Sequence, residues 1–271
     1  MKYAQLIIGL LAGTALGGAV VAGTGAPANG GTMSDEAVKK IVRQVIMDEP
    51  KLIMESVQKF QTEEMKKQNA DASGALKDQA VQDALYHNLN TASIGPKDSK
   101  RTIVEFFDYN CPVCKMQFKW LDSITKKDPS VRVIFVEYPI FGPVSDLNAK
   151  LGLAVWRLYP EKYYQFHEKM MSTPGHGPGN NEPTYKFISD LGMNLDKVKA
   201  EADKKDISDL IEKNRDLGNT LHVQGTPMLI VGGETIPHAV EEGELLQRLD
   251  AAGKGDSNAD DKADAKKPDA E

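Results

Sequence analysis

The sequence predicts an α/β fold: a small sheet flanked by helices, a helical subdomain inserted between its strands, and a separate α-helical segment in front. Three observations predict it. "TIVEFFDY" and "VRVIFVEY" are β-branched and aromatic runs of strand length, and the stretch 111–127 between them has a helical pattern, which makes a strand–helix–strand unit. "PMLIVGGETIPHA" reads as two strands joined at a Gly232-Gly233 hairpin turn. Between about 144 and 222 the chain is helical almost throughout, through "SDLNAKLGLAVWRLYP", "EKYYQFHEKMM", "EPTYKFISDLG" and "LDKVKAEADKKDISDLIEKNRDLG".

Taken in order, residues 1–28 carry one positive charge, Lys2, then an apolar run, then small residues at Val20-Val21-Ala22 and Ala26-Pro27-Ala28. This is the pattern of a cleavable secretory signal, so the expected compartment is the periplasm; an uncleaved anchor is the alternative. No cysteine follows it for a lipid anchor. Residues 33–70 predict two amphipathic helices. Ser34 is the N-cap of the first, Asp35 and Glu36 lie in its first turn, and Ala37, Val38, Ile41, Val42, Val45 and Ile46 form one stripe. Pro50 ends it and opens the second, whose face carries Leu52, Ile53, Val57 and Phe60. Two short helices cannot bury that much stripe between themselves, so the segment is expected to self-associate.

A linker helix is expected within 71–92, carrying Leu76, Val81, Ala84, Leu85 and Leu89, and the main domain over 93–252, closed by a helix in "EEGELLQRLDAA". Residues 253–271 are mixed in charge and free of large apolar residues, and are expected to be disordered. The net charge of −6 offers no basic face, which places nucleic acid outside the expected partners.

The chemistry centres on Cys111 and Cys114, the only two cysteines of the 271 residues, where a strand ends and a helix begins. A ring this small removes little entropy from the unfolded chain, so it is a poor staple. Zinc needs about four ligands, and no second pair or suitably spaced histidine accompanies these two, so no metal and no cofactor are expected. The placement suits thiol exchange. Cys111 faces the unpaired N–H groups and positive dipole end of the helix, which favour a thiolate, and is the expected nucleophile. The helix end is worth up to ~2 kcal/mol, enough to bring a cysteine from about 8.5 to about 7. Pro112 and Val113 are expected to add nothing, so any further lowering falls to the Cys114 N–H and the rest of the fold. His87, His167, His176, His222 and His238 are read as surface or loop residues, and Phe106, Phe107 and Tyr109 as strand packing.

"EFFDYNCPVCK", followed more than a hundred residues later by "VQGTPMLIVGG", resembles the DsbA-like thiol:disulfide oxidoreductases. The resemblance spans roughly residues 93–252 and implies a thioredoxin fold with a helical insertion. It further implies that Pro227 is cis and lies against the cysteine pair, and that Glu105 is the buried acid that moves a proton to and from Cys114. Strongly oxidising members have a His in the dipeptide where this chain has Val113, which implies a milder oxidant. Thr226 before the cis-proline is similar to disulfide isomerases, and its hydroxyl is expected to donate to the Cys111 sulfur. The N-terminal extension is similar to those of ScsC and of the dimeric DsbA proteins of intracellular pathogens, which implies a homodimer, with a trimer as the alternative.

The resulting expectation is a secreted oxidoreductase that forms and isomerises disulfides in cysteine-containing secreted clients. A DsbB-like quinone reductase would recharge it, or a DsbD-like reductase would keep it reduced. The alternatives are a dedicated oxidase and a non-catalytic chaperone or soft-metal scaffold.

Overall fold

The computed structural model describes residues 33–175 and 180–252; the predicted signal segment, the 253–271 tail and His176 lie outside the described residues. Contacts within the chain divide it into a unit ending at Val57 and a larger one beginning at Gln58. In the first, helix α1 (Asp35–Asp48) is capped by the Ser34 side chain, which accepts from the Ala37 N–H, and buries no residue. Helix α2 (Pro50–Ala75) opens with Pro50 in its first turn, where a missing N–H costs nothing, and runs on past residue 70 without a break.

In the second unit, residues 71–92 do not form one linker helix. Helix α2 ends at Ala75, helix α3 (Gln79–Tyr86) starts from an Asp78 N-cap, and strand β1 (Ala92–Ile94) follows. Leu76 and Leu89 therefore lie outside α3, and Leu89 is largely exposed. The core elements come next: strand β2 (Thr102–Phe107), helix α4 (Pro112–Lys127) and strand β3 (Arg132–Glu137). Helices α5 (Pro143–Leu158), α6 (Pro160–Ser172), α7 (Glu182–Asp190), α8 (Leu195–Ala202) and α9 (Lys205–Thr220) form the insertion. Strands β4 (Met228–Val231) and β5 (Glu234–Ile236) and helix α10 over 242–252 close the chain.

The sheet order is β1-β3-β2-β4-β5. Strands β2 and β3 are parallel, because α4 carries the chain back across the sheet, and β4 runs antiparallel to β2 on its other side. Gly232 and Gly233 both have positive φ (60° and 78°), as a two-residue turn of this hand requires, and set the Val231↔Glu234 register of the β4–β5 hairpin. The three-residue β1, unsuspected from sequence, pairs antiparallel with β3.

Strand alternation divides the apolar side chains between two faces. Ile103, Phe107, Val133, Phe135, Leu229 and Val231 pack with Phe118 and Leu121 of α4, Tyr163 and Phe166 of α6, and Leu245 and Leu249 of α10. Val104, Phe106, Ile134, Val136, Met228 and Ile230 face the other way and pack with Leu76, Leu85, Leu221 and Val223. The segment after residue 71 is thus a cover for the sheet's second face. Burying each leucine there contributes roughly 1.5–3 kcal/mol.

Candidate active site

Strand β2 delivers the site. It lies between β3 and β4, so residues leaving its C-terminal end enter the middle of the molecule's edge rather than a corner. Asp108 ends the strand's run and is buried; its carboxylate accepts from the N–H groups of Asn110 (2.7 Å), Ile140 (2.7 Å) and Phe141 (3.2 Å) and from Ser145 Oγ (2.8 Å). Four donors on one carboxylate fix the turn before Cys111 against the start of the helical insertion.

Cys111 is the N-cap of α4, with Pro112 in the helix's first turn. Its Sγ accepts from the Cys114 N–H at 3.4 Å, and its thiol donates to the Thr226 carbonyl oxygen at 3.2 Å. Thr226–Pro227 is a cis peptide bond, which places the Pro227 segment against the sulfur as the resemblance implied. The Thr226 hydroxyl is buried without a hydrogen-bond partner, so the contact made in the thiol state is with the carbonyl and not the hydroxyl expected from sequence. That hydroxyl remains a donor for the thiolate.

These groups bring the Cys111 thiol down to about 6. The Cys114 side chain, as hydrogen-bond partner, is the largest cause; burial opposes it, and the Thr226 hydroxyl and the backbone N–H groups of Cys114 and Val113 add to the lowering. Val113 therefore contributes through its backbone, where the sequence reading counted only its apolar side chain. Cys114 is the reverse case: burial first, then its pairing with Cys111 and the charges of Glu105 and Cys111, push its thiol far above the ordinary range. The two sulfurs differ sharply in readiness to ionise.

Glu105 lies on β2 opposite Phe135 and Leu229, fully buried, with neither carboxyl oxygen hydrogen-bonded. Burial and then the charge of Cys111 hold its pKa well above 4.5, so the carboxyl is kept protonated. Glu137 on β3, missed in the sequence, is equally buried and also raised, by burial first. Such acids reverse the usual pH dependence of a carboxylate. Their stabilising contribution is complete below the unfolded value near 4.5 and is lost as pH rises through the raised folded values, because the native state then holds protons that the unfolded chain releases. Glu105→Gln is expected to gain stability relative to the wild type steadily from pH 5 to 8 in denaturant unfolding. A constant difference across that range would contradict the assignment.

His167 is a correction: it is not a surface residue but fully buried on α6. Its Nδ1 lies 3.3 Å from the hydroxyls of both Tyr109 and Tyr163, and its ring packs at 4.2 Å, centroid to centroid, on Phe135. Burial, then the nearby Lys115, lower its pKa to about 3, so it is neutral. Tyr109 is accordingly more than strand packing, since it ties the residues before Cys111 to the insertion. A Cβ at Gly152 would fall 2.5 Å from Glu137 Oε1 and 2.8 Å from the Tyr109 hydroxyl, so only glycine on α5 leaves room for this cluster. Two signals in the sequence could have found it. His167 is in phase with Tyr163, Phe166 and Met170 on the buried face, and Glu137 is in phase with Val133 and Phe135 on an apolar strand.

Comparison with known proteins agrees with this geometry. Residues 87–251 match the protein family described as Thioredoxin. Disulfide bond formation protein D of Bacillus subtilis is 28% identical over 173 residues, covering 60% of this chain and 77% of that protein. A periplasmic thioredoxin-like protein from Salmonella enterica serovar Typhimurium is 31% identical with a TM-score of 0.58, covering 65% of this chain and 97% of that one. Proteus mirabilis ScsC in a transitional conformation is 27% identical with a TM-score of 0.59, covering 80% and 96%.

Proposed function

Because the chain belongs to the thioredoxin family, in its DsbA-like branch, we propose that it is a periplasmic thiol:disulfide oxidoreductase working through Cys111 and Cys114. The observation that carries this reading is the Cys111 sulfur at the N-cap of α4, receiving the Cys114 N–H and holding a pKa of about 6 beside a buried, un-ionised Cys114. In oxidation, a client thiolate attacks the Cys111–Cys114 disulfide, a mixed disulfide forms with Cys111, and a second client thiol resolves it. Cys114 leaves as the poorer anion and needs a proton; Glu105, buried beside it and protonated, is the donor. Pro227 and Thr226 line the face across which the client's backbone would lie.

The reverse direction uses the same atoms: reduced Cys111 attacks a wrong client disulfide, which is isomerisation. What favours that second activity is the half-exposed apolar stripe of α1 and the start of α2, a surface suited to pairing with another copy. Cysteine-containing secreted proteins are the clients, with a DsbB-like quinone reductase or a DsbD-like reductase setting the resting state.

The test is alkylation of the reduced protein across pH. Cys111 should react alone, its rate rising to half-maximum near pH 6, while Cys114 stays unmodified in the folded state. Faster modification of Cys114, or a midpoint near 8.5, would overturn the proposal.

A further inference from the structure

The end of the sheet remote from Cys111 carries a cavity of about 750 Å³ for which thiol exchange has no use. Strands β2 and β3 start there, with Thr102 opposite Arg132, whereas Cys111 follows the other end of β2, roughly 17 Å of strand away. The walls come from the end of α3, the 97–100 loop, the two strand starts, the β4–β5 turn and α10. The volume is that of a small-molecule site.

Arg132 is the fixed group in this cavity. Its Nη1 donates to the Tyr86 carbonyl at 3.2 Å and to the Lys97 carbonyl at 2.9 Å, so two separate segments hold the guanidinium in one orientation. Among the described residues no carboxylate lies within ion-pair distance of it, and its Nε is buried with no acceptor. Burial holds its pKa below the ordinary arginine value, and no neighbouring anion restores it. A donor in that position is costly to leave unanswered. A second lining cation, Lys97, is exposed and likewise has no carboxylate within ion-pair distance among the described residues. Of the lining carboxylates, Glu234 is taken by Arg248 at 3.0 Å, and Asp98 lies beyond ion-pair distance of the described cations.

We propose that this cavity binds a small dianionic oxyanion of phosphate type, with the Arg132 guanidinium and the Lys97 ammonium as its two cationic contacts. With Nη1 taken by the two carbonyls, Arg132 keeps Nε and Nη2 as neighbouring planar donors, the arrangement that receives two oxygens of one anion. Lys97 adds a point charge on a flexible stem. Two unanswered cations match a dianion better than a single carboxylate. Bound there, the anion ties the end of α3 and α10 to the start of the sheet, while the Cys111 site at the opposite end is untouched.

The experiment is calorimetric titration of the full chain with inorganic phosphate, with ionic strength held constant by sodium chloride. The wild type should bind phosphate saturably at millimolar concentration or below, and the Arg132 Nε–H resonance should move downfield as it does so. Arg132→Gln should weaken binding at least about tenfold, and Lys97→Gln about three- to tenfold. Asp98→Asn should tighten it about two- to threefold, because the unpaired carboxylate of the lining is gone. Lys186→Gln, which removes an ammonium paired with Asp190 on α7, should bind as the wild type does. Insulin reduction should not change in any of these variants. Displacement of phosphate by glycerol phosphate would identify an ester as the source of the anion, and no displacement the free ion. Absence of saturable binding, or wild-type affinity in both Lys97→Gln and Asp98→Asn, would overturn the proposal. Should Arg132→Gln not fold, the wild-type resonance decides, and an Arg132 Nε–H signal that stays in place while phosphate binds would sink the assignment.

Discussion

Replacing Cys111 with alanine is expected to abolish disulfide exchange, with insulin reduction falling by at least about a thousandfold. The magnitude follows from the inequality of the two sulfurs. With its pKa near 6, Cys111 is about nine-tenths thiolate at pH 7, and the thiolate is the attacking species. Cys114 cannot take its place. It is buried without exposed surface, and burial first, then its hydrogen bond with Cys111, keeps its thiol un-ionised at any working pH. Cys114→Ala should behave differently: Cys111 still ionises and attacks, but nothing within the protein releases the mixed disulfide, so clients accumulate as covalent adducts. Retention of a tenth of the exchange rate in Cys111→Ala, or no trapped adducts in Cys114→Ala, would break the assignment of roles.

The placement of Cys111 at the start of α4 was legible because its logic is local. A cysteine at a strand-to-helix junction, with proline in the first helical turn and its partner one turn on, fixes N-cap geometry by itself. The βαβ unit and the hairpin were legible for the same reason: each is announced by periodicity and by turn glycines. What sequence alone missed is contact between distant segments. Lys115 reads as a surface lysine until α6 presents its carbonyls, 55 and 58 residues later. Asp108 reads as a turn residue until Ile140 and Phe141 turn their N–H groups to it. His167 was discounted because isolated histidines are commonly exposed, although its helical phase pointed inward. The error at residues 71–92 has a different cause. Leu76 and Leu85 were taken as one helical stripe, but the chain bends between them, and both reach the sheet's second face. Strand β1 has only three residues, too few for alternation to register.

Deleting residues 33–70 is expected to convert an oligomer into a folded monomer that exchanges disulfides but no longer isomerises them. The side chains Val38, Ile41, Val42, Val45, Ile46, Leu52, Ile53, Val57 and Phe60 are 42–66% exposed in the single chain. Covering the exposed half of each contributes about 1 kcal/mol, so a pair of such segments gains enough to exceed the roughly 4–15 kcal/mol lost on association. The catalytic unit does not depend on them. Ala72, Leu76 and Leu85, which are buried, and Leu221 and Val223, which share the Leu76 and Leu85 cluster, all lie outside the deleted stretch. The Cys111 site is built from residues 105–227. Insulin reduction by the truncated protein should therefore remain within about twofold of the full chain. Refolding of scrambled ribonuclease should fall about tenfold or more, because holding a misfolded client between two domains raises the effective concentration of its wrong disulfide at Cys111. Light scattering on both proteins reads the assembly state directly. A full-length monomer, or a truncated protein with undiminished isomerase activity, would mean that the exposed stripes serve something other than self-association and that a single domain suffices for both reactions.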